Sequence, residues 1–240
     1  MTTRTEMLDR VRKALGHPDS GCPAPAAPPL DFAGIMPDVA PEDLLAKFEA
    51  EWEKVAGAAY RVSNMNELEA VFQKVLVRAE TQAVVLSGNP LLAELGLPVR
   101  LSALSKCVTA WAPGPEADGT NSLPDFTKAS FEAGAGITGV DFVLAESGTL
   151  VLSSATERVQ VASLAPPIHV ALYRRSQLVG SLEEVLAKLA ISNPSDRPAA
   201  GRSVVFITGT SRTADIEQIL IRGVHGPREV HAILVEDSCR

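Results

Sequence analysis

Hydrophobic positions along the chain switch repeatedly between a helical period and short apolar runs. Met7, Leu8, Val11 and Leu15 share one face of a helix predicted over residues 3–15, with Thr3 and Glu6 spaced for a capping box, and Gly16, His17 and Pro18 stop it. From Gly16 to about residue 40 the periodicity lapses. Cys22-Pro-Ala-Pro-Ala-Ala-Pro-Pro holds few core-forming residues and reads as a stiff, polyproline-like linker or surface arm. Helical spacing returns in Leu44, Leu45, Phe48, Trp52 and Val55, opened by Pro41 and closed by Gly57. A strand predicted over residues 60–63 leads into a helix capped by Asn64, with Glu67 three positions on and Leu68, Val71, Phe72, Val75 and Leu76 along its face.

Residues 83–88, Ala-Val-Val-Leu-Ser-Gly, are apolar without alternation, the pattern of a strand covered on both faces by helices. The alternation continues with a short helix near 91–95, a strand near 108–111, a polar loop over 114–122 and a helix over about 125–133. Further strands are predicted at 141–145, 148–153, 169–173, 204–208 and 230–235, with a helix at 181–190. Such βα units predict an α/β fold of three layers, a mainly parallel sheet covered by helices, with a hairpin where two strands flank Glu146-Ser-Gly148. Residues 1–40 then form a leading helix and arm, and residues 41–240 the main domain.

Composition narrows the function classes. With 46% of residues hydrophobic and 21% charged in 240 residues, the composition argues against a disordered or fibrous chain. A net charge of −7 without a Lys/Arg cluster argues against nucleic-acid binding and leaves room only for a local cationic pocket. Cys22, Cys107 and Cys239 lie far apart, so no sequence-local zinc or iron–sulfur cradle exists, and the chain is read as binding no cofactor or metal itself. The polar opening Met-Thr-Thr-Arg-Thr-Glu, the odd cysteine count and apolar runs far below the roughly 20 residues of a membrane span predict a soluble, cytoplasmic protein.

Two segments hold the candidate chemistry. In the first, running from Gly136 to Leu152, Glu146 sits at a tight turn among Thr138, Ser147, Gly148 and Thr149. Glu146 has three readings: nucleophile or general base, polar ligand anchor, or solvent-facing hairpin carboxylate. The second is Thr208-Gly-Thr-Ser-Arg-Thr-Ala-Asp-Ile-Glu217 followed by Gly223-Val-His-Gly-Pro227. There a strand ends in a hydroxyl-rich turn and is expected to enter a helix, with Thr213 as N-cap and Asp215 and Glu217 in its first turn. Loop N–H groups at Thr208, Gly209 and Ser211, a helix N-terminus and the planar fork of Arg212 suit a carboxylate or phosphate. The plainer reading pairs Arg212 with Asp215 or Glu217. His225, before Gly226, is a candidate acid or base near neutral pH, and Asp215 completes the candidate catalytic set. His169 and His231 begin apolar runs and read as structural. The chain lacks a P-loop ending, a G-x-S-x-G elbow and a G-x-G-x-x-G fingerprint.

The strand pair Asp141-Phe-Val-Leu-Ala-Glu-Ser-Gly-Thr-Leu-Val-Leu152, together with Ile207-Thr-Gly-Thr-Ser-Arg-Thr-Ala-Asp-Ile-Glu217 and Gly223-Val-His-Gly-Pro227, resembles the LUD domain of the LutC/YkgG lactate-utilisation family. The resemblance covers the C-terminal half most strongly. It implies a fold of the NagB/RpiA/CoA-transferase-like group with its cleft at strand ends. It also implies a part in oxidising L-lactate to pyruvate beside iron–sulfur subunits of the LutA and LutB kind, with this chain as the small, cluster-free member. Two other functions stay open. Ala145-Glu-Ser-Gly148 is similar to the turn whose glutamate forms a thioester in CoA-transferases, although it departs from that turn at the residue before the glutamate. Alternatively, the chain is a non-enzymatic scaffold or regulator that docks through its first 40 residues.

Overall fold

A computed structural model describes residues 3–14, 39–77, 79, 82–104, 106–111, 123–190, 203–214 and 220–239. The chain divides into two compact units, Met1–Asp38 and Val39–Arg240. Helix α1 (Arg4–Ala14) belongs to the first and exposes its whole length, including Met7, Leu8 and Val11. It begins with the expected capping box, in which the Thr3 N–H donates to Glu6 Oε2 at 2.8 Å and the Glu6 N–H to Thr3 Oγ1 at 3.3 Å. Most of the Pro/Ala-rich arm lies outside the described residues.

The second unit is built on six parallel strands. These are β1 (Ala58–Val62), β2 (Ala83–Leu86), β3 (Cys107–Ala110), β4 (Ala135–Thr138), β7 (Ile168–Tyr173) and β12 (Glu229–Val235), in the order β1-β12-β7-β4-β2-β3. Every residue of β4 and β7 is buried, as expected of a parallel sheet covered on both faces. On one face lie α3 (Met65–Leu76), α4 (Pro90–Glu94) and α5 (Leu97–Ala103), whose Leu68, Phe72, Leu92 and Leu101 meet Val84, Ile137, Val170 and Ile233. Local chemistry sets where two of these helices begin. The Asn64 side chain accepts from the Glu67 N–H at the head of α3, and Asn89 accepts from the Leu91 N–H with Pro90 in the first turn of α4.

The opposite face is covered by helices and by a second sheet. Strands β5 (Phe142–Leu144), β6 (Thr149–Ser153), β8 (Leu178–Val179) and β9 (Val204–Ile207) form it in the order β8-β5-β6-β9. Leu150 and Leu152 of β6 point inward onto Ala171, Tyr173 and Leu234 of the large sheet, together with Leu45, Phe48 and Trp52 of α2 (Leu44–Lys54). Val151, of opposite parity, packs outward against Val185 of α7 (Leu182–Ala190). Helix α6 (Leu123–Glu132) and a 3₁₀ turn at Gln160–Ser163 cover the β2 side of the same face.

The expected hairpin at Glu146-Ser-Gly148 is present as β5 and β6. The helix expected after Thr213 would run into residues 215–219, which lie outside the described residues. Arg212–Ala214 is a strand, β10, paired antiparallel with β11 (Leu220–Arg222), so Thr213 caps no helix. Backbone bonds explain the difference: the Ser211 N–H donates to Pro227 O at 2.9 Å and the Gly223 N–H to Ser211 O at 3.1 Å, which folds this segment back as a hairpin.

Candidate functional site

Strand pairing brings the two candidate segments together. β6 pairs antiparallel with β9 in the register Leu150↔Ile207, which sets Thr149 beside Thr208. Their hydroxyls lie 2.8 Å apart, and Ser147 Oγ extends the chain with a 2.8 Å bond to Thr149 Oγ1. Gly148 and Gly209 bend the backbone at φ +61° and +79°, where a side chain is strained. Each also presses on the end of α2: a Cβ on Gly148 would lie 2.5 Å from the Trp52 backbone nitrogen, and one on Gly209 would run into Val55 O. The Thr210 N–H reaches the same Val55 carbonyl at 3.4 Å.

Beyond this hydroxyl chain the predicted residues separate. Arg212 is exposed, and its Nε donates weakly to Thr210 Oγ1 at 3.5 Å. Ser211 faces Gly226, where a Cβ would approach the Ser211 side chain at 3.4 Å. His225 is exposed in the turn after β11, and Thr213 is half-buried in β10. Asp215 and Glu217 lie outside the described residues. Glu146 points to the head of α7: its Oε1 accepts from the Leu182 N–H at 2.9 Å, an arrangement favoured by the partial positive charge there. Its Oε2 is buried with no hydrogen-bond partner among the described residues. Thr138 sits in the large sheet, with its hydroxyl 2.9 Å from Nε2 of the fully buried His169. Burial, then the nearby His231, lowers the His169 pKa to about 3, so this ring is neutral, in keeping with a structural histidine.

A further polar group lies under the carboxyl ends of the parallel strands. Glu157, in the loop after β6, is fully buried. Its Oε2 accepts from the Ser87 hydroxyl at 2.5 Å and its Oε1 from the Asn89 amide, both residues of the loop leaving β2. Burial pushes this carboxyl up to about 7; the bonds from Ser87 and Asn89 oppose the shift and the charge of Asp141 adds to it. Asp141 is itself held by the Ser153 N–H and the Thr156 hydroxyl, at 2.5 and 2.9 Å. Arg158 follows with a left-handed backbone, φ +61°. Among the described residues no group of His, Cys, Asp and Glu could hold a metal ion, and no helix is long and apolar enough to cross a membrane.

Residues 45–235 match the family model of the LUD domain. The chain belongs to the LUD domain family. Lactate utilization protein C of Halalkalibacterium halodurans is 33% identical over 175 residues, 73% of this chain and 72% of that protein. Its namesake in Deinococcus radiodurans is 28% identical over 97% of this chain and 95% of its own length. The uncharacterized protein YkgG of Escherichia coli is 32% identical over 65% of this chain and 64% of its own. The crystal structure of a DUF162 family protein from Deinococcus radiodurans shares the fold, with a TM-score of 0.57 over 82% of this chain and 99% of the other at 22% identity.

Within this LUD domain, sequence reasoning missed the group around Glu157. Ala-Thr-Glu-Arg-Val reads as an ordinary polar loop, and its partners Ser87 and Asn89 stand about 70 positions earlier. The one local signal is placement: Ser87-Gly-Asn89 directly follows an apolar strand, where open α/β sheets collect ligands.

Proposed function

We propose that this chain is the C-type component of a system that oxidises L-lactate to pyruvate in the cytoplasm, where it binds a small carboxylate and docks onto iron–sulfur subunits of the LutA and LutB kind. In this reading residues 41–240 carry the ligand, and residues 1–40 are an accessory helix and arm. The names of the relatives support the pathway. The observation that carries the binding role is the hydroxyl chain Ser147–Thr149–Thr208, which leads into the strand that bears the exposed Arg212. Each hydroxyl both donates and accepts, so the chain accommodates the alcohol of lactate or the carbonyl of pyruvate, while a guanidinium fork takes the carboxylate. Calorimetry with L-lactate and pyruvate on the wild-type protein and an Arg212→Ala variant tests it. The variant is expected to bind at least about tenfold more weakly, the loss of one charge-assisted pair; equal affinity removes Arg212 from the role. Co-purification with the two iron–sulfur subunits, before and after deletion of residues 1–40, tests the docking.

A second reading, a stand-alone enzyme of CoA-transferase or isomerase type, has one observation in its favour. Glu146 is fixed through one oxygen, while the other has no hydrogen-bond partner among the described residues. Intact mass after incubation with acyl-CoA decides it: an adduct lost in Glu146→Gln supports the covalent route, and no adduct dismisses it.

A further inference from the structure

We propose that the loops leaving β2 and β6, with Trp111 at the end of β3, build a second anion site, in which the Arg158 guanidinium receives the carboxylate of a small monocarboxylate and the Glu157 carboxyl beneath it takes up one solvent proton as the anion binds. The ligand class is that of the reading above; the residues are not.

The geometry starts at Gly88, between the two residues that hold Glu157. A Cβ there would lie 2.8 Å from Arg158 Cγ and 2.7 Å from the Trp111 ring, so glycine leaves the space in which the arginine stem and the indole edge meet. Ser87, Gly88 and Asn89 follow β2 and Trp111 follows β3, which places Arg158 over the carboxyl ends of adjacent parallel strands, where ligands of open α/β sheets bind. The arginine is exposed, and no carboxylate among the described residues pairs with it. Its φ of +61° is unfavourable for a residue with a Cβ, and such strain clusters at functional sites.

Besides the Gly139 N–H, which donates to it and favours the charged form, Glu157 has two side-chain partners of different kinds. Asn89 Oδ1 accepts from the Leu91 N–H, which fixes the Asn89 amide as a donor to Glu157 Oε1. Ser87, on Oε2, carries a hydroxyl that donates to a carboxylate or accepts from a carboxylic acid. The charged group facing Glu157 is Asp141, from the segment after β4; Arg158 is its neighbour in the chain, and its contacts from the β2 loop are uncharged. An anion arriving at Arg158 adds negative charge beside a buried carboxyl, which favours the protonated form. Anion and proton therefore bind together, each strengthening the other.

Titration calorimetry of the full chain with pyruvate at pH 6 and pH 8, and with inorganic phosphate as a second probe, tests this. At close range in a partly buried site the coupling is worth about tenfold in affinity between the two pH values. Wild-type affinity for pyruvate is expected to fall by that factor at pH 8, with net proton uptake in paired buffers of different ionisation enthalpy. Glu157→Gln, isosteric with the protonated acid, should bind at both pH values as the wild type does at pH 6. Arg158→Gly removes the guanidinium and also relieves the left-handed backbone, so this variant should keep its melting temperature while losing at least about tenfold in affinity; Arg158→Lys should recover part of it. Undiminished binding by Arg158→Gly, wild-type affinity that is equal at pH 6 and pH 8, or no pyruvate binding at all would overturn the proposal. Sensitivity to Arg212→Ala alone would also overturn it and leave the Arg212 reading standing. Phosphate that competes equally with pyruvate would overturn the monocarboxylate assignment.

Discussion

Replacing Glu157 with glutamine should stabilise the protein at alkaline pH and leave it nearly unchanged in mild acid. The buried carboxyl has a folded-state pKa of about 7 against 4.5 for the free side chain. The folded state thus holds a proton more tightly than the unfolded chain does. The resulting stability is complete below about pH 4.5 and is lost as pH rises through 7. A difference of about 2.5 units, at about 1.4 kcal/mol per unit, sets the whole effect at about 3 kcal/mol. Glutamine keeps the neutral form at every pH, accepting from Asn89 and donating to Ser87. Urea denaturation from pH 5 to pH 8.5 measures the difference directly, and other titrating groups cancel because both proteins carry them. The variant should lie within about 1 kcal/mol of the wild type near pH 5 and exceed it by about 3 kcal/mol at pH 8. Parallel curves, or a less stable variant at pH 8, would refute the assignment of a buried, proton-holding carboxyl.

Other outcomes follow from the same packing. His169, lowered to about 3, charges more readily in the unfolded chain, so stability is present above pH 6.5 and drains away below it; in the Glu157→Gln background denaturation should show a loss of about 2 kcal/mol between pH 7 and pH 5. Thr138→Val strips the hydroxyl from His169 Nε2 and should cost about 1–3 kcal/mol, whereas Thr138→Ser should restore most of it. Gly148→Ala meets the Trp52 backbone at a left-handed φ and should cost about 2–4 kcal/mol by thermal melting. Gly180→Ala, whose nearest neighbour would be Leu44 Cδ2 at 3.7 Å, should stay within about 1 kcal/mol of the wild type.

Elements whose signal is local were legible in the sequence. Asn64 with Glu67 marks the start of α3, the apolar run of β2 marks a strand buried on both faces, and those of β7 and β12 mark strands. Strand β4 escaped notice because Ala-Gly-Ile-Thr is short and contains a glycine. The reason for Gly136 is tertiary: any side chain there would strike Ala162 O of the 3₁₀ turn. Thr213 reads as a helix N-cap rather than as part of strand β10 because threonine and serine favour both settings, and only the pairing with β11 and the bonds from Ser211 to Pro227 and Gly223 decide between them. The meeting of Thr149 with Thr208 could be suspected from composition but depends on the β6–β9 register, which the sequence leaves unspecified. Glu157 itself carries no local signal, since burial of a loop carboxylate is created by residues distant along the chain, and only the placement of its partners Ser87 and Asn89 after β2 hints at the group.

The last turn of α2 serves both loops at once. Gly148 on the hairpin tip and Gly209 on the hydroxyl bend, about 60 positions apart in the chain, rest on neighbouring stretches of one helix end, at Trp52 and Val55. A turn earlier, Glu49 of the same helix grips Arg61 on the rim strand β1 at 2.5 Å. The helix is therefore a common anvil: a side chain added at either glycine would collide with the same helix end, and the same helix is tied by that ion pair to the outer border of the large sheet.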